Sequence, residues 1–125
     1  MKDCAVQVTI AGKPYGLYYD FDAYLALEQV HGLRLGPLVQ ALTQHSAAAA
    51  RATLFEGVAG YARTFPERKQ ADVSLEEAGG LVFAHGLIET CNDIARALRA
   101  TYRREKGLQE EPAGEGKDEA PAPTS

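Results

Sequence analysis

Residues Ala11 to Gly32, AGKPYGLYYDFDAYLALEQVHG, decide the fold, because the periodicity of the chain changes inside them. Tyr15, Leu17 and Tyr19 alternate with Gly16, Tyr18 and Asp20, the period-two pattern of a strand with one buried face. From Phe21 onward the spacing becomes helical, and Phe21, Tyr24, Leu25 and Val30 are expected to share one broad apolar face. Asp20 stands at the change of period, where its carboxylate suits the exposed amides of a helix start. Gly32 offers the left-handed conformation that ends a helix.

Upstream, Val6, Val8 and Ile10 alternate with Ala5, Gln7 and Thr9. Two strand-like runs joined by the connection Ala11-Gly12-Lys13-Pro14 predict a β-hairpin. A hairpin is marginal alone, so this one has to lie on helices. Those helices follow. Gly36-Pro37 opens a short one carrying Leu38, Val39 and Leu42. The alanine-rich run Ser46 to Ala50 favours helix without specifying a face, with Ser46 as its cap, and Leu54, Phe55, Val58, Ala62 and Phe65 restore the spacing before Pro66 closes the segment.

After a polar loop over 66–73, Ser74-Leu75-Glu76-Glu77 is a capping-box sequence. Leu75, Ala78, Leu81, Val82 and His85 follow on one face, and Ile88, Cys91, Ala95, Leu98 and Tyr102 carry the spacing past Gly86, where periodicity leaves a kink and a break equally open. Fold class is therefore α+β, mostly α: a hairpin on four to five helices over 1–106. The segment 107–125, acidic and rich in Pro, Ala and Gly with one large aliphatic residue, is expected to be disordered.

Charge narrows the partners. The last nineteen residues carry five acidic side chains against Lys117, which accounts for the whole net charge of −4 and leaves a neutral body. Such a body has no footprint for nucleic acid. No run approaches a membrane span, and the start of the chain does not read as a secretory signal. Cys4 and Cys91 lie far apart with no CxxC, which fits a reducing compartment.

Chemistry is sparse. His31, His45 and His85 occupy separate segments without metal-ligand spacing, so half-buried or surface histidines are the simpler reading. Ser46 beside His45 lacks the glycines of a nucleophile elbow. Gly114-Glu115-Gly116-Lys117 is followed by Asp118 where a phosphate loop needs Ser or Thr. No catalytic, cofactor-binding or metal-binding residue is assigned, and the protein is expected not to be an enzyme. Five of the ten aromatics fall between Tyr15 and Tyr24. Most are expected to pack where hairpin meets helix, while Tyr18, pointing away from Tyr15, Leu17 and Tyr19, is the candidate exposed contact.

The hairpin Val8-x-Ile10-x-Gly12-Lys13-x-Tyr15-x-Leu17 leads into Phe21-Asp22-x-Tyr24-x-Ala26-Leu27-Glu28 and Gly32. With the capped helix from Val73 and the Ile88-x-x-Cys91-Asn92-Asp93-Ile94-Ala95-Arg96-Ala97-Leu98 helix, this order resembles the tail assembly chaperones of tailed bacteriophages and gene transfer agents. The likeness spans roughly residues 5–105; the alanine-rich stretch 44–52 matches only in being helical. It implies a non-catalytic factor that coats the long, largely helical tape measure protein and brings tail tube subunits to it in the host cytoplasm of a bacterium, self-associates, and is missing from the mature virion. It also implies two lengths made by ribosomal frameshift, for which Gly116-Lys117 is a candidate slippery pair, although Gly12-Lys13 shows how readily that pair arises by chance. The alternative is a structural minor tail protein or adaptor retained in the particle. Partner contacts are expected to be apolar, at Tyr18 on the hairpin and Phe55, Val58 and Tyr61 on the third helix.

Overall fold

The structure is a computed structural model and describes residues 5–105, with the side chains of 102–105 excepted. The tail expected over 107–125, the Gly116-Lys117 pair, Cys4 and the Tyr102 side chain lie outside what is described.

An antiparallel hairpin opens the chain: β1 (Val6–Ile10) pairs with β2 (Lys13–Leu17), Val8 opposite Tyr15 and Ile10 opposite Lys13. The connection is shorter than the four residues expected. Ala11 and Gly12 alone form it, both at positive φ (52° and 83°), the geometry of a primed turn whose twist matches the flanking strands. Lys13 and Pro14 therefore belong to β2. Pro14 is tolerated because it sits opposite Thr9 at a position whose amide faces away from β1. At the equivalent outward position two residues on, the Gln70 side chain covers the strand edge. The Gly16 N–H donates to Gln70 Oε1 (2.6 Å), and Gln70 Nε2 donates back to the Gly16 carbonyl (3.2 Å).

Five helices follow: α1 (Phe21–Gln29), α2 (Leu35–Thr43), α3 (Ala47–Thr64), α4 (Leu75–His85) and α5 (Leu87–Glu105), with a 3-10 turn at Pro66–Arg68. Three begin on the side chains read as caps. Asp20 accepts from the Ala23 N–H (2.9 Å), Ser46 from Ala49 (3.2 Å), and Ser74 and Glu77 close a capping box (3.0 and 2.9 Å). Gly86, at φ 110° and ψ 129°, is a break: its extended backbone separates α4 from α5, while its carbonyl accepts from the Thr90 amide (2.9 Å) and hydroxyl (2.7 Å).

The spine is α3, which contacts β2 and the other four helices. Around it the core gathers Ile10, Leu17, Tyr19, Leu27, Leu38, Leu42, Leu54 and Ile94, all essentially without solvent exposure. The Tyr19 hydroxyl donates to the Thr53 carbonyl (2.7 Å), which satisfies the polar end of a fully buried ring.

The expected face of α1 is corrected. Ala23 and Leu27, one turn apart, are the residues buried, while Phe21 and Val30 are 71% and 73% exposed. Phe21 is two residues from Ala23, a rotation of about 200° around the helix, so it points to the opposite side. On α5 the buried stripe is Cys91, Ile94, Ala97 and Leu98, and Ile88 stays outside it.

Candidate functional site

Three of the four residues assigned to partner contact lie on α3, the element the rest of the fold covers, and the fourth lies against it. Val58 and Tyr61 are 3% and 5% exposed. Their partners are internal: Val58 belongs to the core, and the Tyr61 ring lies against Gly16 of β2, where a Cβ would have no room. In this structure neither presents surface to another protein. Phe55 is half-buried, its ring edge-on to His31 at 6.4 Å between centroids. Tyr18 is also half-buried. Its amide donates to the Gly57 carbonyl (3.1 Å) and its ring meets Phe65 edge-on at 5.8 Å, so the aromatic cluster closes on itself through Tyr61 and Phe65.

Two histidine–carboxylate pairs come together that spacing alone did not reveal. His31 Nε2 meets Glu56 Oε2 at 3.0 Å, both side chains nearly enclosed, joining the end of α1 to the middle of α3. His85 Nδ1 accepts from the Ala11 N–H (3.3 Å), which leaves the ring proton on Nε2, facing Asp93 Oδ2 at 3.2 Å. His85 thus ties the hairpin turn to the α4–α5 corner. Among the described residues neither imidazole meets a hydroxyl or thiol, and no three His, Cys, Asp or Glu side chains gather in a metal-holding group. Both pairs serve as struts between elements. Burial pushes the Cys91 thiol above its usual range, which keeps it protonated and unreactive. No helix of the described residues is long and apolar enough to cross a membrane.

What the molecule does offer is apolar surface elsewhere. Phe83 on α4 is 89% exposed, and Ile88, just past the Gly86 break, is also exposed. Beside Phe83 runs a groove of about 730 Å³, lined by Ala47, Ala48 and Arg51 of α3, Gly79, Val82 and Phe83 of α4, and Leu87. Phe83 had a signal in the sequence: it falls off the Leu75–Ala78–Val82 face and shares its side of α4 with Glu76, seven residues earlier. The groove had none. It exists because the α3–α4 packing sets the small residues Ala47 and Ala48 near Gly79.

No family model matches the chain, and neither a curated protein nor a solved structure matches it.

Proposed function

We propose that this protein is a non-catalytic tail assembly chaperone that holds the tape measure protein in the bacterial host cytoplasm, self-associates, and leaves before the particle is complete. The observation that carries this reading is Phe83, a large aromatic almost wholly in water at the lip of an apolar groove. Large apolar surface on a soluble chain is ordinarily kept for a partner. The hairpin-to-helix order of the chain adds the resemblance. The histidine–carboxylate pairs are accounted for as struts, and the tightly packed face of α3 serves the core. The partner surface is therefore assigned to Phe83 and its groove, with the exposed side of Phe21 as a second apolar point. Tail tube subunits are the second cargo on this reading.

The test is co-expression with the tape measure protein encoded beside this gene. Co-purification and a gain in tape measure solubility are expected; an insoluble tape measure free of this chain would refute the reading. Mass spectrometry of purified particles separates the alternative, since a minor tail protein or adaptor would be retained in fixed number and a chaperone would not.

A further inference from the structure

The groove beside Phe83 has a charge as well as a shape. Two stripes form its walls, Ala47, Ala48 and Arg51 along α3 and Gly79, Val82 and Phe83 along α4, and Leu87 completes the lining. Its floor is low because the side chains there are small. A Cβ added to Gly79 would lie 3.2 Å from Arg51 Cδ, so the arginine stem crosses α4 where the helix has no side chain of its own. Arg51 is the one charged residue of the lining, it is exposed, and it makes no ion pair or hydrogen bond among the described residues. An apolar trough with a guanidinium on its rim that no described residue pairs favours an occupant that is apolar on one line and acidic beside it.

Area decides between occupants. Phe83 contributes at most about 200 Å² of surface, and the rest of the lining is mostly small side chains. That falls well short of the ~800 Å² each partner buries in a stable dimer. It does suit a few side chains of a helix laid into a groove. We propose that this groove binds an amphipathic α-helix of a partner protein, which sets a large apolar side chain against Phe83 and, one turn away, a carboxylate on the Arg51 guanidinium. That the partner is a helix rests on the chaperone reading; that it is acidic beside its apolar line rests on the groove itself. Many such sites acting in series on a long helical partner would hold it through individually weak contacts.

The experiment uses the full chain and two fluorescein-labelled helical peptides, one with leucines at i, i+4 and i+7 and glutamates at i+3 and i+10, the other with lysines for the glutamates. Anisotropy titration is expected to favour the glutamate peptide by about threefold, the scale of an exposed ion pair, and to lose that preference at high salt. Arg51→Glu should reverse the order. Phe83→Ser should weaken both peptides at least about tenfold, as truncation of an aromatic anchor does. Because Phe83 and Arg51 are exposed, both variants should melt with the parent. Equal affinities that Arg51→Glu leaves equal, parent-like binding by Phe83→Ser, or no saturable binding of either peptide would overturn the proposal. So would a dimer in light scattering that Phe83→Ser abolishes, since a second copy would then fill the groove. If Phe83→Ser and Arg51→Glu still capture the tape measure protein, the groove assignment falls and the chaperone reading stands. Peptide discrimination without tape measure capture gives the reverse.

Discussion

Gly60→Ala and Gly80→Ala are the same chemical change in the interior of two helices, and the structure gives them opposite signs. An alanine gains about 1 kcal/mol over glycine from helix propensity alone. At Gly80 a Cβ would meet no atom within 4 Å, so that gain should appear nearly whole. At Gly60 the added Cβ would run into the Tyr18 carbonyl oxygen and lie 3.1 Å from Asp20 Oδ1. The Tyr18 oxygen is backbone and cannot rotate aside, so α3 and the β2–α1 junction must move apart. That movement strains the Tyr18 N–H to Gly57 carbonyl bond (3.1 Å) and the Asp20 contacts with Arg63. Overpacking costs about 1–3 kcal/mol and a weakened buried hydrogen bond about 1 kcal/mol more. Set against the propensity gain, Gly60→Ala should lose about 2 kcal/mol, a fall in Tm of about 8–16 °C. Gly80→Ala should instead rise by a few degrees. Thermal melts followed by far-UV circular dichroism read both. A Gly60→Ala protein as stable as the parent would refute the close approach of hairpin and α3, and a destabilised Gly80→Ala would refute the open surface assigned to that side of α4.

Asp20 caps α1 and also receives Arg63 through two bonds, Nε to Oδ2 (3.1 Å) and Nη2 to Oδ1 (2.9 Å), so Asp20→Ala should cost about 1–2 kcal/mol, most of it from the cap because the ion pair is partly screened by solvent. Asp20→Asn, which keeps an acceptor, should lose less than about 1 kcal/mol in urea unfolding, and equal losses for the two variants would contradict the cap. Burial, with Tyr24 and Glu56 adding to it, raises the Tyr19 hydroxyl above its ordinary pKa of 10.0. Below that pH both folded and unfolded chains hold the proton and Tyr19 contributes no slope; above it the unfolded chain releases the proton first, and stability falls by about 1.4 kcal/mol per pH unit. Tyr19→Phe should be somewhat less stable at neutral pH, for want of the bond to Thr53, yet show a shallower alkaline loss; parallel curves above pH 10.0 would contradict the buried hydroxyl.

Much of this fold is written locally. The alternation of Val6, Val8 and Ile10, the change of period at Asp20, and the caps Asp20, Ser46 and Ser74 depend on residues within four positions of one another. Local backbone and side-chain geometry is enough to form them. The sequence by itself therefore determined the hairpin, the helix starts and the α+β class. What it left to tertiary structure was which side of each element meets another. Periodicity put Phe21 and Val30 with the core, but α1 lies on α3 through the slim Ala23, and the larger side chains stay in water. The alanine run named no face, and only packing buried Ala49 and Ala50 while leaving Ala47 and Ala48 to line a groove. Val58 and Tyr61 looked available on a lone helix, yet the glycines at 16 and 57 draw the hairpin tightly over α3 and enclose them. Among the described residues no element crosses Phe83's side of α4, and its ring is exposed. Burial is a property of the neighbour that covers a residue, and that neighbour arrives from far along the chain.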